Sequence, residues 1–96
     1  MIETFGNALA EQLFDDDSGR AARSLPVALR RAARRKLLLL HDAAELRDLR
    51  VPPGNRLEKL KGEWDGFYSI RIDRQWRLVF QWRTGSAFNV QVVDYH

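Results

Sequence analysis

The sequence predicts an α+β fold, with an N-terminal strand and helices packed on one face of a mainly antiparallel sheet. Three observations carry this. Leu25, Leu29, Ala32, Ala33, Leu37, Leu40 and Ala44 recur at helical spacing and make one apolar face. From Asn55 onward the period changes to two. The strand-like segments of the second half are joined by connections such as Asp73-Arg74 and Thr84-Gly85-Ser86, too short for a parallel crossover.

Taken in order, residues 2–5 form a short β-like piece. Asn7 caps a helix whose Leu9 and Leu13 share a face. Asp15-Asp16-Asp17-Ser18-Gly19 ends it, because carboxylates at a helix C-terminus oppose the macrodipole. The consecutive acids diverge, so they read as an exposed loop and not as metal ligands. Ser24 caps the next helix, with Pro26 in its first turn. A second helical piece over 43–49 stops at Val51-Pro52-Pro53-Gly54. Residues 56–61 enter the sheet, and 67–72, 75–82 and 87–93 form its meander.

The 96 residues bound the answer to one domain, 1–96, with one core. Forty-five per cent hydrophobic and 30% charged is ordinary globular composition. The absence of cysteine excludes a disulfide scaffold and a thiolate nucleophile. No basic region followed by an apolar run marks a signal peptide, and the apolar run Leu37-Leu38-Leu39-Leu40 is far too short to span a bilayer. A soluble cytoplasmic protein, with no membrane association, is expected. His41 has no second histidine or cysteine at metal spacing and reads as a surface or capping residue; no metal or other cofactor is expected.

Sixteen basic against 13 acidic residues give a net charge of +3. Arg30, Arg31, Arg34 and Arg35 lie mostly off the apolar face of their helix, where they either contact RNA or an acidic partner or solvate the helix. In the sheet, alternation sets Tyr68, Ile70, Ile72, Trp76, Leu78, Phe80, Trp82, Phe88, Val90 and Val92 toward the helices. Ser69, Arg71, Arg77, Gln81, Asn89, Gln91 and Tyr95 fall on the other face, with an apolar patch of Val79 and Val93. That face is either a solvated sheet surface or, with Lys61 nearby, a phosphate-binding one.

At this point the chain resembles a known family. Pro53-Gly54-Asn55-Arg56-Leu57-Glu58-Lys59-Leu60-Lys61-Gly62, then Tyr68-Ser69-Ile70-Arg71-Ile72, Gln75-Trp76-Arg77-Leu78-Val79-Phe80 and the terminal Val93-Asp94-Tyr95-His96 are similar, in that order, to HigB-type killer proteins of the RelE/ParE-like group. The resemblance covers nearly half the chain, from about Val51 to the terminus. It implies a compact RelE-like fold and a toxin that cleaves mRNA on the translating ribosome. It also implies neutralisation by a HigA-type helix-turn-helix antitoxin, through which alone the toxin would meet operator DNA. By the same carry-over Lys61, Arg77, Asp94, Tyr95 and His96 are the candidate catalytic residues, and Arg71, Lys59 and Glu58 candidate substrate-binding ones. The chain departs from some members in carrying Glu58 where they have a histidine. Either Glu58 assists catalysis or the chemistry is redistributed among other groups.

The residue types suit metal-independent cleavage by the RNA's own 2′-hydroxyl. Asp94 and His96 can move protons, Arg77 and Lys61 can stabilise the crowded phosphate, and Tyr95 can stack on a base or assist proton transfer. A strict period of two splits the terminal three between faces, so a single site requires the chain to bend after Val93. Two other functions stay open: a ParE-like gyrase poison, and a non-catalytic basic RNA-binding module.

Overall fold

The computed structural model describes residues 1–15 and 19–95. Helices α1 (Ala8–Asp15), α2 (Arg20–Arg23) and α3 (Val27–Asp42) precede a four-stranded antiparallel sheet of β1 (Glu58–Lys59), β2 (Tyr68–Arg71), β3 (Trp76–Arg83) and β4 (Ser86–Asp94), in that spatial order. The α+β expectation holds, with the helices packed with the sheet. Among the described residues no helix is long and apolar enough to cross a membrane.

The N-terminal piece lies parallel to β4, through bridges of Ile2 with Ala87 and Phe5 with Val90. His41 fixes its start: its Nδ1 accepts the Ile2 N–H at 3.1 Å. Asn7 does two jobs. Its Oδ1 accepts the Ala10 N–H at 3.0 Å, capping α1, while its Nδ2 donates to the Val92 carbonyl at 3.0 Å and extends the pairing with β4.

Helix placement differs from expectation in detail. Ser24 does not cap α3; it ends α2, its hydroxyl donating to the Ala21 carbonyl at 2.6 Å, and Pro26 stands at the α3 N-cap. Of the helix arginines, Arg34 donates from Nη1 to the carbonyls of Leu13 and Phe14, at 2.7 and 2.6 Å, and so satisfies the C-terminus of α1. The piece after α3 is a 3₁₀ helix over Leu46–Arg50, tighter and shorter than expected. Asp16 and Asp17 of the acidic loop lie outside the described residues.

The core joins Leu13, Leu37, Leu40 and Leu49 from the helical half to Ile70, Leu78, Phe80, Val90 and Val92 from the sheet, all buried. Each such side chain contributes about 1.5–3 kcal/mol when fully buried. The strand faces follow the alternation with one exception. Val79 pairs with Gln91 but Gln81 pairs with Phe88, so β4 carries one extra residue opposite Phe80. Asn89, at φ 52°, supplies the left-handed turn of this bulge, and its unpaired N–H donates to the Thr4 hydroxyl at 2.8 Å. The bulge reverses the parity before it. Ala87 turns into the core, and Phe88, expected there, stands on the opposite face, where the Arg83 guanidinium lies 4.3 Å from its ring centre.

Candidate functional site

Arg77 is the organising residue of the face away from the helices. It pairs with Arg71 on one side and Val93 on the other, so all three side chains project together. The Arg77 side chain is only 12% exposed, unusual for a cation on a sheet surface. Its Nη2 donates to the Arg56 carbonyl at 2.8 Å, and its Nη1 approaches Glu58 Oε1 at 3.4 Å. Its buried Nε–H has no partner among the described residues. The guanidinium is thus anchored by a neutral oxygen and met only loosely by a carboxylate that is itself 52% exposed. A phosphate could displace that carboxylate and take the Nη1 donor it now meets, a guanidinium–phosphate contact for which arginine is suited.

Glu58 pairs with Ser69, and Ser69 with Val79, which extends the row on the same face. The Ser69 hydroxyl is buried without a hydrogen-bond partner among the described residues. Lys61 follows at the N-cap of the 3₁₀ turn Gly62–Trp64, exposed, with no side-chain partner among the described residues.

At the terminus the strand does not bend after Val93. β4 continues through Asp94, which pairs with Trp76, and the Tyr95 N–H donates to the Gln75 carbonyl at 2.8 Å. Regular pleating therefore sets Asp94 on the Trp76 side of the sheet and returns Tyr95 to the Arg77 side, 5.8 Å from ring centre to guanidinium carbon. Asp94 instead accepts from Gln75 Nε2 at 2.8 Å. Gln75 thus grips the chain end at two successive residues. His96 lies outside the described residues.

Of the sequence candidates, the fold gathers Arg77, Arg71, Glu58 and Tyr95 on one face, with Lys61 near its edge. It separates Asp94 and Lys59 from them. Lys59 pairs with Tyr68, which pairs with the core residue Phe80, so it projects from the helix side. In a strand, neighbours such as Glu58 and Lys59 cannot share a face.

Comparison with known proteins agrees with this architecture. The family described as RelE-like toxin of type II toxin-antitoxin system HigB matches residues 3–96. The chain belongs to this family. The HigB-like chain is 44% identical over 89 residues to Toxin HigB-1 of Vibrio cholerae, a match covering 93% of this chain and 92% of that one. It is 39% identical over 41 residues to Endoribonuclease HigB of Proteus vulgaris, covering 43% and 45% of the two chains. An uncharacterized protein of Haemophilus influenzae is 33% identical over 66 residues, or 69% and 65%. As the toxin of a type II system, the chain has an antitoxin as its partner.

Two residues that hold the candidate site, Arg56 and Gln75, and one that shapes β4, Asn89, were not given these roles from sequence. Arg56 contributes through its carbonyl, in a left-handed conformation that its residue type does not advertise. Gln75 acts from a turn. Asn89 left a usable signal, since asparagine in mid-strand has poor β propensity and tolerates positive φ.

Proposed function

We propose that this type II toxin, an endoribonuclease, cuts mRNA on the translating ribosome. It does so by activating the RNA's own 2′-hydroxyl without a metal. It acts in the cytoplasm as a single domain over residues 1–96, and a HigA-type helix-turn-helix antitoxin neutralises it. The observation that supports this is the Arg77 guanidinium, anchored to the Arg56 carbonyl, with a buried Nε–H left unpaired among the described residues and only a loosely held carboxylate in front of it.

In this reading a scissile phosphate displaces Glu58 from Arg77 and takes the Nη1 donor. The 2′-oxygen attacks phosphorus, its proton passes to a base, the bond to the 5′-oxygen breaks, and that oxygen receives a proton. The products are a 2′,3′-cyclic phosphate and a free 5′-hydroxyl. Glu58, freed but adjacent, is the base that lies on this face. His96, the last residue, is assigned the leaving-group proton. Lys61 and Arg71 add positive charge to the phosphate path, and Tyr95 holds the guanidinium or a base by its ring. Asp94 acts as a positioning residue, through Gln75 on Tyr95.

The test is expression without an antitoxin. Cuts within translated messages, reproduced by purified protein on ribosomes in the presence of a chelator, are expected. Growth arrest with intact messages and broken chromosomal DNA overturns the reading in favour of gyrase poisoning.

A further inference from the structure

On the helix side of the sheet, a groove of about 460 Å³ separates the 3₁₀ helix Leu46–Arg50 from the β1 edge. Leu46, Arg47, Arg50, Leu57, Lys59 and Tyr68 line it. In a 3₁₀ helix, residues three apart eclipse, so Arg47 and Arg50 stand in one row above the buried Leu49. The platform beneath them is braced. Asn55, fully buried, donates from Nδ2 to the carbonyls of Leu49 and Val51, at 3.1 and 3.3 Å, and accepts from the Lys36 ammonium. Asp48 accepts the N–H groups of Ala44 and Glu45.

The groove carries three cations and no acid among its lining residues. Arg50 and Lys59 are exposed and have no ion pair among the described residues. Arg47 pairs with Glu45 at 2.8 Å, a contact open to water on both sides and correspondingly weak. Tyr68, stacked on Phe80 at 6.2 Å, gives the floor an aromatic ring. Unpaired cations beside an aromatic floor are what a single nucleic-acid strand requires: cations for phosphates, a ring for a base.

The groove and the site on the other face flank the same strand, β1. β1 is the edge strand and only two residues long. Glu58 points to the Arg77 side and Lys59 to the groove. A strand crossing this edge meets both in succession.

We propose that the groove is a second RNA-binding site. It holds the phosphodiester backbone and one stacked base of a single-stranded segment that wraps round the β1 edge from the Arg77 site. This rests on the ribonuclease reading of that site. Arg47, Arg50 and Lys59 take the phosphates, and Tyr68 takes the base.

The test uses an Arg50→Ala, Lys59→Ala double variant, with unfolding temperature and circular dichroism compared with wild type. The probes are a single-stranded uridine oligonucleotide of about a dozen residues and a uridine dinucleotide. The proposal expects weaker binding of the long probe and unchanged binding of the dinucleotide. The salt dependence for the long probe should flatten by about 0.7 for each phosphate no longer neutralised. An unchanged salt slope overturns the proposal. So does unchanged oligonucleotide binding with lost binding of a polyglutamate peptide, which assigns the groove to an acidic polypeptide. On ribosomes, a variant slow only on messages extending beyond the cut takes its strand from the message; one slow on truncated messages also takes it from ribosomal RNA. If Arg77→Ala abolishes cleavage while the double variant matches wild type in both assays, the groove alone fails. If Arg77→Ala cleaves normally, the ribonuclease reading fails first.

Discussion

The Arg77 guanidinium sits 5.8 Å from the centre of the Tyr95 ring, while Asp94, one residue earlier, projects from the other side of the same strand. This ordering separates the roles of two residues adjacent in sequence. Tyr95→Phe keeps the ring beside the guanidinium. Tyr95→Ala removes it, together with about 0.5–1 kcal/mol of cation–ring attraction. Single-turnover cleavage of a ribosome-bound message is expected to fall further in the alanine variant. Equal losses in both variants assign the effect to the phenol hydroxyl instead.

Asp94→Asn keeps the size of the side chain and an oxygen to accept from Gln75, and removes the charge. With Asp94 as a positioning residue, cleavage falls less than about tenfold and its pH profile keeps its form. Glu58→Gln, by contrast, removes the proposed base and is expected to cost about 10²- to 10⁴-fold. Rate–pH profiles of the two variants on ribosomes decide between them. A flattened profile in Asp94→Asn alone returns the proton transfer to Asp94.

The bulge in β4 is testable by stability. Asn89 holds φ at 52°, a conformation that costs a β-branched residue about 1–3 kcal/mol. Asn89→Val is expected to lose that amount in urea unfolding. Asn89→Gly, free of the steric penalty, is expected to lose less, through its missing hydrogen bond to Gln81. An equal loss in both would place the stabilisation in that hydrogen bond and not in the backbone.

Much of this arrangement was legible in the sequence, for specific reasons. Alternation with a period of two assigned Ile70, Leu78, Phe80, Val90 and Val92 to the core, and Arg71 and Arg77 to the other face, because a pleated strand leaves no choice. The same rule carried Phe88 to the wrong face, because one extra residue at Asn89 reverses the parity of everything before it. Asp94 shows the converse. The regular pattern already set it apart from Arg77, and the strand keeps that pattern. The partners of Arg77 were out of reach, since the Arg56 carbonyl belongs to a backbone conformation that no local rule specifies. Ser24 looked like a cap for the long helix but closes the four-residue helix before it, whose hydrophobic pattern is too short to register.

Lys36 links stability to pH. Burial, and then the neighbouring Arg35, hold its ammonium below the usual lysine value. Between the folded value and the ordinary one the unfolded chain binds more protons, so this residue's effect is to raise stability as pH climbs through that window. Lys36→Met abolishes this rise. It also leaves the buried Asn55 Oδ1 without its donor, at a cost of about 1–3 kcal/mol. Urea unfolding of both proteins across the alkaline range measures each effect. A constant difference between them rejects the linkage.

Arg77 carries the central claim, and its side chain can be removed without opening the main core, which lies on the other side of the sheet. The most direct measurement is single-turnover cleavage of a translated message on purified ribosomes by wild type and Arg77→Ala, with matching circular dichroism. The predicted result is a fall of about 10²- to 10³-fold, the scale of a lost stabilising donor. Cleavage by Arg77→Ala at the wild-type rate would contradict the account.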